Sequence, residues 1–420
     1  MSLSTRANPF LVYDSDYGFQ QIINYGNIYD EETNAEGALC MAIAENNLCR
    51  EMLTEKLNNA FQTSSKGTVL GNQGFTADVV NYTSPTGLPQ FKETMRDFLM
   101  KYVWKECDIT VDELVCGAGC TALLHQLARL LFEEADAVLI PTPYYPAFVH
   151  DFKNIGGVKI IDVAELTDAA LTAAYEQGTR NNTPVKAMLL CNPCNPTGRI
   201  FTPEEVGLCY AFCTRHSLHL IMDEVYANST HEAGAFTSWA TSMSRHRKSN
   251  LPVAGEATQG KASGSALGTD MVHFLWGLSK DMGGSGFRVG VLYSNNKKLL
   301  QACGGMNDMS QISNVAQQVL MTVLSDHTWV DSYFSENRAK LLVCFQTLKH
   351  GLEALGVEVY PSQSGIFAFV NLRSMFRSAA CDSCSKSERN DPGGFYGQEI
   401  ELEIRLRKRL LFFTPGRACH

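Results

Sequence analysis

Residues 273–290 read HFLWGLSKDMGGSGFRVG, and this stretch decides the fold. Its apolar run Phe274–Leu278 predicts a buried strand, and Lys280 follows in a glycine-rich turn. A lysine ammonium is costly to bury unless it is paired or neutralised. A lysine at the end of a core strand is therefore a candidate amine nucleophile that can form a Schiff base with a carbonyl.

Arg288 follows Lys280 in the same turn. A fixed guanidinium suits phosphate binding, because its planar fork of donors matches the phosphate oxygens. A Schiff-base lysine beside a phosphate-holding arginine suggests pyridoxal 5'-phosphate (PLP) as the cofactor. The alternative for this stretch alone is a surface loop with two solvated cations.

The bulk composition limits the class of protein. The chain has 420 residues, which suits one large domain with a smaller one, and a hydrophobic fraction of 45%. The net charge of −9 argues against a general nucleic-acid partner. The longest apolar runs are too short for a membrane span, and the first residues lack the apolar region of a secretory signal. We therefore expect a cytoplasmic protein with no membrane or nucleic-acid partner.

The chain contains 14 cysteines, scattered mostly inside apolar runs, which suits a reducing compartment. Two pairs have CxxC spacing, Cys191/Cys194 and Cys381/Cys384. A structural zinc site needs four ligands with matched spacing, and neither pair has a partner pair. The sequence therefore predicts free thiols and no metal site.

Short apolar runs alternate with helical patterns between residues 114 and 320. This order predicts an α/β fold in which a mostly parallel sheet of seven strands lies between helices. The run Val289–Tyr293 is interpreted as a reversed edge strand. The other predicted strands are Val111–Cys116, Ala137–Ile140, Val158–Ile161, Ala187–Cys191, Leu218–Met222 and Phe274–Leu278. Ligands of such folds bind beyond the carboxyl ends of the strands.

The domain organisation follows from the same pattern. Residues 1–60 are predicted to form an N-terminal arm and part of a small domain. Residues 61–310 are predicted to form the large, cofactor-binding domain. Residues 311–420 are predicted to complete a smaller α+β domain that looks truncated at its C-terminus.

Two loops at predicted strand ends carry candidate binding groups. The segment Cys116–Ala122 joins a strand to a helix, and its small residues leave backbone N–H groups open to an anion. The segment Cys191–Arg199 contains two Asn-Pro steps that favour an extended turn presenting Asn195. The alternatives are an ordinary glycine turn and an ordinary proline-rich loop.

Asp223 closes the apolar run Leu218–Met222. A carboxylate at that place is costly without a cationic partner, and a protonated pyridine nitrogen is such a partner. Tyr226, three residues later, is placed to donate to the ring oxygen, and Tyr145 to stack on a planar ring. The alternatives are a helix-capping aspartate and a core tyrosine.

The order of these pieces along the chain is more specific than any one of them. It resembles the PLP-dependent class I/II aminotransferase superfamily (fold type I), over residues 34–417. The resemblance implies the PLP-dependent transferase fold, an amino-acid substrate and a homodimer in which both subunits line each site.

The resemblance also implies a role for each matching residue. Lys280 is the Schiff-base lysine and acid/base, and Asp223 pairs with the pyridine nitrogen. Tyr226 and Asn195 hold the ring oxygen, and Tyr145 stacks on the ring. The residues expected around the phosphate are Gly119, Cys120, Thr121, Ser279 and Arg288, together with Tyr82 reaching into the neighbouring subunit.

Within the superfamily, the segments Asn34–Cys49 and Ile140–Pro146 look most like the 1-aminocyclopropane-1-carboxylate (ACC) synthase group. That likeness implies that Glu45 lies in the substrate site, where a carboxylate favours a sulfonium or an amine. The alternative is a solvated glutamate near a helix start.

The chain departs from the family pattern at two places. Gly277 stands where the family usually has a serine, which removes one phosphate contact. The residues after Gly416 end at His420 without the arginine that grips the substrate carboxylate, a contact that is hard to replace. We therefore expect a PLP enzyme acting at the Cα of an amino acid, by aminotransfer or by β- or γ-elimination (C–S lyase chemistry), with secondary metabolism as one setting. The alternative is a catalytically impaired PLP-binding relic with a regulatory or scaffolding role.

Overall fold

The computed structural model describes residues 32–34, 39–40, 44–65, 79–249, 269–372 and 411–412. Cys381/Cys384 and the segment after Gly416 lie outside these residues. Among the described residues, no helix combines the length and apolar character that a membrane span needs.

Long helices and short strands alternate along the chain. The helices are α1 (Arg50–Ser65), α2 (Pro89–Tyr102), α3 (Cys120–Leu130), α4 (Asp168–Arg180), α5 (Pro203–His216), α6 (Trp239–Ser249), α7 (Lys297–Met306), α8 (Asn314–Ser325) and α9 (His327–Ala354). The strands are β1 (Leu39–Cys40), β2 (Leu114–Gly117), β3 (Ala137–Pro141), β4 (Lys159–Val163), β5 (Val185–Cys191), β6 (His219–Asp223), β7 (Val272–Gly277), β8 (Gly290–Ser294), β9 (Glu358–Val359), β10 (Val370–Asn371) and β11 (Leu411–Phe412).

The main sheet has seven strands in the order β2-β8-β7-β6-β5-β3-β4. The strands from β7 to β4 in this order are parallel, and β8 is antiparallel to both β2 and β7. The predicted fold class is therefore confirmed. The predicted edge position of the reversed strand is wrong: β8 lies inside the sheet and β2 forms the edge. All five residues of β8 are buried, which suits an inner strand.

Both faces of the sheet are covered. Phe274 and Trp276 of β7 pack into one apolar cluster, whereas Leu275 between them packs into a second cluster. This alternation follows from the period of two along a strand. Because helices cover both faces, the inner strands are largely apolar and polar groups accumulate at their ends.

The described residues divide into two compact units. The larger unit contains residues 45–351 and 359–369, and therefore the whole seven-stranded sheet. In the smaller unit β1 pairs in parallel with β11. The division at residues 60 and 310 stays a prediction.

Two histidines on the neighbouring strands β6 and β7 contact each other at the amino ends of these strands, whereas Lys280 follows the carboxyl end of β7. His219 Nδ1 lies 2.9 Å from His273 Nε2, and His273 Nδ1 lies 2.8 Å from Ser294 Oγ. His273 is fully buried, and this burial, helped by His219, lowers its pKa to about 3. The folded protein therefore keeps His273 neutral well into the acid range.

This depressed pKa predicts a pH-dependent stability. Below about pH 6.5 the unfolded chain binds a proton at His273 that the folded chain does not. This contribution to stability is therefore present above that pH and is lost as the pH falls toward 3. Between pH 7 and 5.5 we expect wild type to lose about 1 kcal/mol more unfolding free energy than His273→Gln. Urea unfolding at both pH values measures this difference, and equal losses would contradict it.

Candidate active site

Lys280 lies on a one-turn helix, Leu278–Asp281, that follows β7 directly. The apolar strand delivers it to the carboxyl edge of the sheet, as the sequence predicts. Burial lowers the pKa of the Lys280 amine, and Arg288 adds to this effect, while Glu45 and Asp223 oppose it. The neutral amine, which is the nucleophilic and proton-accepting form, is therefore more accessible than in a solvated lysine.

Asp223 is the last residue of β6 and pairs with Cys191 on β5 and Leu275 on β7. It is only 5% exposed, and burial raises the pKa of its carboxyl to about 7. The backbone N–H of Val225 donates to its Oδ1 at 3.3 Å. A protonated pyridine nitrogen next to this carboxylate would restore its charged form, so Asp223 fits the cofactor.

Asn195 and Tyr226 meet at the same edge. Asn195 Nδ2 donates to Tyr226 Oη at 3.2 Å, and the Phe367 ring lies edge-on to Tyr226 with centroids 5.2 Å apart. Burial raises the pKa of the Tyr226 phenol well above its usual value, so the hydroxyl keeps its proton. The structure brings together the two residues that the sequence assigns to a ring oxygen.

The predicted phosphate turn lies at the start of α3. Gly119 has φ +88° and precedes the helix, while Cys120 and Thr121 open it with backbone N–H groups in its first turn. Arg288 adopts a left-handed conformation, and its Nη1 donates to the Ser285 carbonyl at 2.9 Å. A Cβ on Gly119 would lie 2.7 Å from Arg288 Nη2, so the guanidinium lies directly over this turn. A helix start under an arginine is a suitable phosphate site.

Gly277 is explained by its neighbour Cys120. A Cβ at position 277 would lie 2.9 Å from Cys120 Sγ and 2.9 Å from the Val289 carbonyl oxygen. The thiol thus occupies the space that a serine at this position would need. Burial raises the pKa of this thiol, so Cys120 fills space and is not a reactive thiolate. Ser279, one residue before Lys280, lies half-buried on the one-turn helix, and its phosphate role stays a prediction.

Tyr145 and Tyr82 differ in placement. Tyr145 is 40% exposed, its ring stands edge-on to Phe148, and it lies close enough to Tyr226 to affect the Tyr226 pKa. Tyr82 is fully exposed, as a side chain that serves a neighbouring subunit is before assembly. Both assigned roles stay predictions.

Glu45 lies near Lys280. Ser285 Oγ approaches Glu45 Oε1 at 3.5 Å, and the glutamate raises the Lys280 pKa. Its side chain is exposed, so a substrate can reach it. The substrate role assigned to Glu45 stays a prediction.

The sequence reasoning missed Asn46. Its Nδ2 donates to the Lys280 carbonyl at 3.2 Å and to Asn337 Oδ1 at 2.9 Å. Gly283, with φ +62°, permits this contact, since a Cβ there would lie 2.5 Å from the Asn46 carbonyl oxygen. Asn46 and Lys280 are far apart in sequence, so no local pattern predicts their contact. The glycines after Lys280 are the only sequence feature that relates to it.

The Gly119 contact predicts a specific defect. Gly119→Ala should weaken PLP binding by about tenfold or more, because the new Cβ displaces Arg288 and the positive φ is strained. Gly234→Ala is the matched control: Gly234 also has a positive φ of +75°, but a Cβ there meets nothing within 4 Å. Both variants should lose stability, and only Gly119→Ala should lose PLP affinity in an absorbance titration. Equal affinities would show that the turn does not bind phosphate.

The family model "Aminotransferase class I and II" matches residues 40–418. The chain belongs to the class I and II aminotransferase family. It is a PLP-dependent enzyme related to the ACC synthases, as the sequence predicts.

Relatives of this family member span most of the chain. It is 31% identical to 1-aminocyclopropane-1-carboxylate synthase 8 of Arabidopsis thaliana over 94% of this chain and 79% of the relative. The 1-aminocyclopropane-1-carboxylate synthase of Malus domestica is 30% identical over 97% of this chain and 81% of the relative.

Solved structures of the same fold include a single mutant of Thermus thermophilus aspartate aminotransferase, with a TM-score of 0.67, 15% identity and coverage of 99% of this chain and 91% of that one. The aspartate aminotransferase of Thermotoga maritima matches with a TM-score of 0.64, 18% identity and coverage of 98% and 91%. At these identities the likeness concerns the fold alone.

Proposed function

We propose that this enzyme acts at the Cα of an amino-acid substrate by ACC-synthase-like chemistry, either aminotransfer or elimination. The observation that carries the proposal is the placement of Lys280 and Asp223. They close neighbouring parallel strands, so one amine and one buried carboxylate share the edge where ligands of α/β folds bind.

Each side chain has a defined task in this scheme. PLP, when bound, supplies an electron sink for negative charge at Cα. Lys280, with its lowered pKa, takes and returns the Cα proton. Asp223 would keep the pyridine nitrogen protonated, and Tyr226, which accepts from Asn195 Nδ2, would with Asn195 donate to the ring oxygen. Arg288 and the start of α3 would hold the phosphate.

Glu45 and Tyr82 extend the proposal to the substrate and the assembly. Glu45 offers a negative charge to a substrate amine or sulfonium near Lys280. Full exposure of Tyr82 supports a homodimer in which it reaches the partner's phosphate site. The cytoplasmic location stays a prediction. The relic alternative rests on the residues after Gly416, which lie outside the described residues.

A substrate panel tests this proposal. The PLP-loaded enzyme is mixed with individual amino acids and with S-adenosylmethionine, and the visible absorption of PLP is followed. Mass spectrometry and an ammonia assay then identify the products: a keto acid without free ammonia indicates aminotransfer, a thiol released together with a keto acid and ammonia indicates β-elimination, and a cyclopropane amino acid indicates γ-elimination. Absence of spectral change and product for every substrate, with PLP bound, would contradict the proposal.

A further inference from the structure

Asp281, the residue directly after Lys280, is fully buried. Its carboxylate accepts four hydrogen bonds. Oδ2 accepts from Trp276 Nε1 at 2.9 Å, from the Asn228 backbone N–H at 2.9 Å and from Asn228 Nδ2 at 3.3 Å. Oδ1 accepts from Ser229 Oγ at 2.7 Å. Every partner donates, which is the pattern that an ionised carboxylate requires.

The donors come from two segments of the chain. Trp276 belongs to β7, which delivers Lys280. Asn228 and Ser229 belong to the turn after β6, two and three residues beyond Tyr226. The Asp281 carboxylate therefore ties the Lys280 turn to the segment that carries Asp223 and Tyr226.

The Lys280 turn is held on a further side. The Lys280 carbonyl accepts from Asn46 Nδ2 at 3.2 Å, and the same Nδ2 donates to Asn337 Oδ1 on α9 at 2.9 Å. Both flanks of the lysine backbone are thus fixed. Such a clamp matters because a reacting amine displaced by about 1 Å can lose two orders of magnitude in rate.

We propose that Asp281 is a positioning residue that holds the Lys280 amine in register with Asp223 and Tyr226 through its bonds to Trp276, Asn228 and Ser229. This inference rests on the proposed function, because it takes Lys280 as the lysine that carries PLP. Asp281 itself does not touch the cofactor in this scheme. Its effect passes through the backbone of the one-turn helix.

The test compares Asp281→Asn and Ser229→Ala with a matched control, Asp136→Asn. Asp136 is also a buried aspartate, and its Oδ2 accepts the Glu133 backbone N–H at 2.8 Å. It directly precedes β3 and therefore lies at the amino ends of the parallel strands, whereas Lys280 lies at their carboxyl ends. Three readouts are taken for each protein: the PLP dissociation constant, the pH midpoint of the absorption band of bound PLP, and the urea midpoint of the PLP-free protein.

Asp281→Asn should weaken PLP binding by about tenfold or more. The amide NH2 that replaces one carboxylate oxygen is itself a donor, and it would face N–H or O–H groups that donated to the carboxylate. The pH midpoint of the band should shift with it. Ser229→Ala should change both quantities in the same direction by a smaller factor. Asp136→Asn should lose stability and keep PLP affinity within about twofold.

Wild-type affinity and an unshifted midpoint in Asp281→Asn and Ser229→Ala would overturn the inference, whatever stability they lose. If Asp281→Asn does not fold, Ser229→Ala decides the outcome alone. Failure of the proposed function gives a different result, since wild type would then bind PLP but show no spectral change and no product with any substrate of the panel.

Discussion

Replacing Lys280 by alanine should abolish the visible band of the Schiff base between PLP and Lys280 and lower turnover by at least about a thousandfold, because the variant loses both the nucleophilic amine and the Cα base. The structure gives a reason for so large an effect. Burial, Asp223, Glu45 and Arg288 together set the pKa of this amine, and water cannot reproduce that environment.

Lys298→Ala is the control, since Lys298 is an exposed lysine at the start of α7. It should retain the band and the turnover of wild type. Absorbance spectra and turnover of the three proteins at equal PLP saturation measure the effect. Turnover of Lys280→Ala near that of wild type would contradict the assignment of the lysine.

Asp223→Asn should lower turnover by about a hundredfold or more, the usual effect of removing one preorganised charged group from an active site. The amide cannot keep the pyridine nitrogen protonated, so the ring accepts less negative charge from Cα. The volume of the side chain is nearly unchanged, and the loss should therefore lie in turnover more than in PLP binding.

A structural benefit should accompany this loss. Burial raises the pKa of the Asp223 carboxyl to about 7, so without PLP its ionised form disfavours folding above the usual carboxyl pKa. The stability cost is absent in acid and grows as the pH rises toward 7. PLP-free Asp223→Asn should therefore be more stable than PLP-free wild type near pH 8, by urea unfolding. A variant with undiminished turnover would remove Asp223 from the mechanism.

The sequence predicted the strands of the main sheet and the polar residues that follow their carboxyl ends. The seven strands were recognisable because a sheet buried on both faces has strands that are apolar throughout. Lys280, Asp223 and Asn195 were recognisable because each is a polar residue within four positions of the end of such a run. A capping box at Thr202 and Glu205 opens α5, and both of its hydrogen bonds are formed.

Long-range contacts account for what the sequence did not predict. The edge position assigned to β8 failed because its pairing depends on where the chain returns after the Lys280 turn, which no local pattern encodes. Asp281 and Asn46 were overlooked because their partners lie far away in sequence. The glycine at position 277 is explained by Cys120, because a Cβ at position 277 would lie 2.9 Å from Cys120 Sγ. The two residues are far apart in sequence, so no local pattern indicates this contact.

The most direct test of the account locates the cofactor on the chain. PLP-loaded protein is treated with borohydride, which fixes the cofactor's carbonyl carbon to its lysine as a stable secondary amine, and the digest is mapped by mass spectrometry. The account predicts the added mass on the peptide that contains Lys280. Added mass on another lysine, or none on a well-folded protein that was saturated with PLP, would contradict it.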